Sequence, residues 1–197
     1  FCEESYEFHK LVDPIATYCY QPLPEQPTIK IVPGPAEKFL AVGPTVRAVG
    51  EPFQIKIKGE DKWGNPTDLC DHEFDVVSTC KIEGLPNKVK LKLGEFTESL
   101  SDLRVQTSED LTVKFTNDVH GIAFETNPIR FEAEPQSRHY WGDLHGQSEE
   151  TIGTNSAEAY FKFARDFAFV DVSGHQGNDF QITTDFWMHL DELCKKF

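Results

Sequence analysis

The chain is poor in basic residues, in ordered cysteine pairs and in long apolar runs, and each shortage removes a class of function. Its 19 lysines and arginines face 33 acidic residues, for a formal net charge of −14. A surface of that sign repels phosphate backbones and anionic headgroups, so neither nucleic acid nor a membrane surface is an expected partner. No apolar stretch approaches the roughly 20 residues that span a bilayer, so no membrane span is expected. The five cysteines (Cys2, Cys19, Cys70, Cys80 and Cys194) contain no Cys-x-x-Cys, which argues against a zinc ribbon or a thioredoxin-type site. Cys2 with Cys19 and Cys70 with Cys80 are conceivable disulfides, with free buried thiols as the default. No serine lies in Gly-x-Ser-x-Gly, which disfavours a serine hydrolase built on Ser148 or Ser173. The start at Phe1, with no basic and apolar leader pattern, leads to the expectation that a leader has been removed or that the chain begins inside a longer one. The compartment is left unassigned.

What is present points to an α+β chain in two parts. Residues 1–37 read as a leader and linker, because Pro22, Pro24, Pro27, Pro33 and Pro35 stiffen it and oppose regular structure. Residues 38–134 carry period-two alternation. Phe53, Ile55 and Ile57 alternate with polar residues, as do Val89, Leu91 and Leu93, then Leu111, Val113 and Phe115, then Ile129, Phe131 and Ala133. Turn signals at Gly50-Glu-Pro52, Trp63-Gly-Asn-Pro66 and Gly84-Leu-Pro86 separate these runs. Roughly seven short strands in about 100 residues predict a β-sandwich. The carboxylates of Asp61, Asp68 and Asp71 are read as solvated loop residues in preference to calcium ligands.

After Glu134 the period changes to that of alternating strands and helices. Tyr140–Leu144 reads as a strand, and Asn155 with Glu158 as a helix start. Ala157, Tyr160, Phe161, Ala164, Phe167 and Ala168 then form one helical face. Phe169–Ser173 is the next strand, and Thr183 or Thr184 caps a second helix with Phe186, Trp187, Leu190, Leu193, Cys194 and Phe197 on its apolar face. In a β-α-β-α order the loops after parallel strands open at one end of the sheet, where ligand sites of such folds lie. His145 follows the first strand and His175 the second. Asp143, Gln147, Glu149, Glu150, Asn178 and Asp179 crowd the same two loops, and Gly142, Gly146, Gly174 and Gly177 permit tight turns. Imidazoles among carboxylates are the ligand set of zinc, manganese or iron. The other histidines (His9, His72, His120, His139 and His189) lack such a setting. Trp141 and Trp187 read as core residues.

Three segments carry a resemblance: Trp141-Gly-Asp-Leu-His-Gly-Gln-Ser-Glu-Glu-Thr-Ile-Gly-Thr-Asn-Ser156, Ala159-Tyr-Phe-Lys-Phe-Ala-Arg-Asp166 and Ser173-Gly-His-Gln-Gly-Asn-Asp-Phe180. Together they resemble the start of a PHP (polymerase and histidinol phosphatase) barrel. More narrowly, the chain is similar to the uncharacterised PHP-like branch in which an immunoglobulin-like domain precedes the barrel; Val49–Pro66 resembles the opening strands of bacterial immunoglobulin-like domains. The resemblance implies an immunoglobulin-like sandwich over 38–134 and the first β-α-β-α units of a distorted β/α barrel over 138–197. It also implies a metal-dependent hydrolase of phosphoesterase type, with a centre for more than one ion, acting on a small-molecule ester. His145 matches the first histidine of the family's His-x-His motif and Gln147 stands at the second. Glu150 matches the carboxylate that follows. His175 matches the histidine of the second motif, where Gly174 replaces an aspartate and Asn178 and Asp179 lie close by. Asp143, His145, Gln147, Glu150 and His175 are thus the expected metal residues.

A β/α barrel takes about 200–250 residues, whereas about 60 follow Ser137. Two parallel strands would also leave open edges and poorly covered aromatic residues, Phe161, Phe167, Phe186 and Trp187 among them. The expectation is therefore an N-terminal fragment, inactive alone, whose partner is the remainder of the same polypeptide or a complementary chain. The competing expectation is a non-catalytic binding or assembly module with a degenerate metal site.

Overall fold

Alternating apolar side chains build most of the ordered chain, and in the computed structural model they do so in several separate sheets. The structure describes residues 5–178 and 180–197. The chain divides into two compact units, Phe1–Pro33 and Gly34–Phe197. The first holds two short antiparallel ladders despite its prolines. In it β1 (Ser5–Glu7) pairs β4 (Thr28–Lys30), and β2 (Leu11–Val12) pairs β3 (Gln21–Pro22). Proline at the end of β3 removes one donor from a strand only two residues long, which leaves that ladder intact. The proposed bridge from Cys2 to Cys19 lies outside the described residues. Cys70 and Cys80 are free thiols.

The second unit opens with eleven strands: β5 (Lys38–Val42), β6 (Val46–Ala48), β7 (Phe53–Glu60), β8 (Pro66–Thr67), β9 (His72–Ser78), β10 (Lys88–Leu91), β11 (Thr97–Leu103), β12 (Asp110–Leu111), β13 (Val113–Asn117), β14 (Ile122–Glu125) and β15 (Ile129–Glu132). One sheet runs β10-β9-β13-β14, a second β11-β7-β5 with β8 on β7, and a third β12-β15-β6. All pairs are antiparallel except β15 with β6. The inward side chains of the three sheets meet in one cluster centred on Ile55, Ile57, Phe74, Phe115, Ile129 and Phe131, each at most 1% exposed. This part is a β-rich domain, as its alternation predicted.

Two details depart from the alternation. Leu93 is exposed, because β10 ends at Leu91 and the chain turns at Gly94, whose φ of 87° favours glycine. Asp61 is a buried turn organiser rather than a solvated carboxylate: it accepts the backbone N–H groups of Gly34, Trp63 and Asn65 and the Asn65 side-chain amide. Burial acts to raise its pKa, but those donors outweigh burial and hold it at about 2.

The β-α part follows as β16 (Gly142–Gly146), α1 (Ala157–Asp166), β17 (Val172–His175) and α2 (Thr184–Lys196). β16 and β17 are parallel and pair with each other alone, so among the described residues there is no barrel. Ser156, not Asn155, caps α1 and accepts the Ala159 N–H; Thr183 caps α2 and accepts that of Phe186. Phe161 is buried, contrary to expectation, because Tyr160, Phe186, Leu190 and Phe197 gather around it with Ala157 and Leu193. Trp187 is 66% exposed, in line with the sparse cover two strands can give and against its reading as a core residue.

This part is tied to the β-rich domain. Lys58 Nζ donates to Phe167 O at 2.7 Å, Lys56 Nζ to Arg165 O at 3.0 Å and Trp141 Nε1 to Thr45 Oγ1 at 2.8 Å. Phe167 packs edge-on against Phe96. The strand alternation points Lys56 and Lys58 away from the β-core, and the residues after α1 cover that outer face.

Candidate metal centre

The parallel register sets Asp143 opposite Ser173 and Gly146 opposite His175, with an irregularity between. His145 and His175 therefore emerge at the same, carboxyl end of a paired strand couple. Tyr160 secures α1 to both strands by donating to Asp143 O at 3.3 Å and Gly174 O at 3.4 Å. Burial, with the nearby Asp143, pushes its pKa up to about 12. The close approach requires glycine at 146, where an added Cβ would lie 2.1 Å from the Tyr160 ring.

His175 has the most constrained environment of the five expected residues. Its Nε2 lies 2.7 Å from Ser148 Oγ, and Ser148 is fully buried. The Ser148 hydroxyl also acts on Glu150, helping to hold its pKa down against burial, and the Glu150 carboxylate accepts the Ala157 N–H at the start of α1. A carboxylate only accepts, so that influence fits a Ser148 hydroxyl turned toward Glu150 and accepting from His175. That chain of donors assigns the imidazole proton to Nε2 and leaves a lone pair on Nδ1, which is buried and has no partner. Burial lowers the His175 pKa, against a smaller opposing pull from Glu150, and favours the neutral ring. Phe186 packs edge-on against the ring at 5.4 Å.

The other expected ligands are arranged differently. Gln147 Oε1 accepts the Thr151 hydroxyl at 2.6 Å. Asp143 accepts the His145 N–H at 3.0 Å, and both side chains are exposed. Glu150 holds the start of α1 by accepting the Ala157 N–H. Asp179 lies outside the described residues. Among the described residues no three or more His, Cys, Asp or Glu side chains gather closely enough to hold a metal ion. Asp143, His145, Gln147, Glu150 and His175 thus share one end of the sheet without converging on one point. Sequence reasoning missed Ser148 as the partner of His175, since nothing in a lone serine distinguishes a buried acceptor from a surface hydroxyl. It also missed His72 and His120, whose rings lie 4.6 Å apart.

Two expectations about tryptophan are corrected: Trp141 is 67% exposed and Trp187 66%. No helix among the described residues is long and apolar enough to cross a membrane. No family model and no curated protein matches the chain.

Proposed function

We propose that the chain is the N-terminal part of a PHP-like, metal-dependent hydrolase of phosphoesterase type, with an immunoglobulin-like sandwich ahead of its first β-α units. The observation that carries this reading is the buried, unpartnered Nδ1 of His175, placed beside the strand that bears His145. A ligating histidine needs a free lone pair on one nitrogen and a hydrogen-bonded proton on the other. The Ser148 and Glu150 relay supplies the second condition, so His175 fits a divalent zinc, manganese or iron ion. In this reading His175 and His145 hold the ion, Asp143 is a further ligand, and Glu150 orients His175 through Ser148. Gln147 stays with Thr151 unless that bond opens. A bound ion would lower the pKa of a water and take up negative charge on a phosphoester oxygen. The two-stranded sheet has open edges, and Leu144 on it is 68% exposed. Both features support further strands completing the fold, from the same polypeptide or a complementary chain.

The bond between Gln147 and Thr151 and the dispersed ligands favour the alternative, a binding or assembly module with a degenerate metal site. Cobalt(II) titration of the purified protein, followed by its visible absorption, separates the two. Binding that is lost in both His145→Ala and His175→Ala supports the hydrolase reading. An absent signal, or one indifferent to both substitutions, leaves the non-catalytic module.

A further inference from the structure

A recess of the second unit lies at the other end of β16. A cleft of 880 Å³ runs between the outer face of β5 and β7 and the segments that precede β16 and β17. That volume falls in the usual range of small-molecule sites. Trp141 precedes β16, so at roughly 3.3 Å per residue it stands about 13 Å along the chain from His145. The cleft is therefore separate from the histidine end, and its reading depends on neither metal nor ester chemistry.

Its aromatic element is exposed yet held. The Trp141 indole N–H donates to Thr45, its backbone N–H to Asp171 Oδ2 at 2.9 Å, and its carbonyl accepts from Asp171 and Val172. An indole bound at its edge and backbone while 67% exposed offers a fixed apolar face to a ligand, and little ordering is left to be done on binding. Phe169, which precedes β17, also lines the cleft. It adopts φ of 58°, a left-handed conformation uncommon for a bulky residue, with Lys56 and Lys58 each 5.4 Å from its ring centre. Such strain persists only where the surroundings enforce it, and it concentrates at ligand sites.

The polar side chains around this platform are balanced in charge. Arg47 and Lys56 stand against Glu125 and Asp171, with Gln54 as a neutral amide. Lys56 already donates to Arg165 O, so it is not poised for an anion. A phosphate or carboxylate ligand would meet two carboxylates, whereas a neutral ligand with many hydroxyl groups can use donors and acceptors alike. We propose that this cleft binds a neutral saccharide, with the C–H face of a sugar ring stacked on Trp141 and its hydroxyls bonded to Gln54, Arg47, Glu125 and Asp171.

The test is saturation-transfer NMR on the protein with maltose, cellobiose and lactose as neutral probes and glucose 6-phosphate as the charged comparison. Transfer to the C–H protons of at least one neutral disaccharide is expected. Trp141→Ala should abolish it, and Gln54→Ala, an exposed outward position of β7, should weaken binding about tenfold. Trp141→Phe keeps the aromatic face and should retain binding, which guards against reading a folding defect as loss of the site. Trp187→Ala should leave it unchanged. No transfer to any disaccharide, transfer that survives Trp141→Ala, or transfer to glucose 6-phosphate alone would each overturn the proposal.

Discussion

Removing the Ser148 hydroxyl tests the relay that sets the His175 tautomer. In Ser148→Ala the cavity is negligible, because a single oxygen is lost from a fully buried side chain. The energetic effect comes from His175 instead: its Nε2–H loses the only acceptor shown for it, while Nδ1 is already unpartnered. An unsatisfied buried polar group costs about 1–3 kcal/mol, and that is the expected loss of stability. Glu150 adds little, since its exposed carboxylate regains a donor from water. The assay is urea unfolding at neutral pH, followed by tryptophan fluorescence, with equal slopes required before midpoints are compared. His175→Phe, which keeps a ring beside Phe186, removes the orphaned groups together. The double substitution should therefore lose less than the sum of the single losses, with a coupling of about 0.5–3 kcal/mol. A Ser148→Ala cost within about 0.5 kcal/mol, the size of an ordinary surface change, or strictly additive losses, would refute the relay.

Three further outcomes are expected. Gly146→Ala drives a Cβ into the Tyr160 ring and should destabilise by about 1–3 kcal/mol in the same unfolding assay, whereas Gly94→Ala meets no atom within 4 Å and should show only the strain of its positive φ. Phe115→Ala empties a fully buried position stacked on Phe124 and should cost about 3–5 kcal/mol by chemical denaturation. Asp61 is held at about 2, below the ordinary 3.8, so its ionised form favours the fold. Its contribution is complete above 3.8 and disappears as pH falls through 2. Thermal melts across that interval should fall more steeply for the native chain than for Asp61→Asn, and parallel curves would contradict the assignment.

The strands of the β-rich domain were legible because alternation is a local property. Ile55 and Ile57 must share a face whatever they pack against, and a buried cluster was the natural destination for that face. The order β-α-β-α was legible for the same reason, together with the Thr183 cap and the placement of His145 and His175 at one end of the sheet. The cap of α1 was displaced by one residue, since Asn155 and Ser156 both suit the role and the loop chose between them. There the Asn155 carbonyl receives the Glu149 N–H and Ser156 takes the cap.

Partners distant in sequence were not legible. That Ser148 would accept from His175, that Glu150 would hold the start of α1, and that Gln147 would be taken by Thr151 all depend on how one loop folds over a strand end. The same holds for Trp141, whose apolar character suggested a core position but whose bond to Thr45 holds it exposed beside a cleft. Periodicity and spacing by themselves determined the β-rich body, the helices that follow it and the pairing of two histidine-bearing strand ends, because backbone geometry repeats locally. Tertiary structure alone decided which lone pair is left over, which indole is exposed and which side chains converge, because those depend on contacts between segments far apart in the chain.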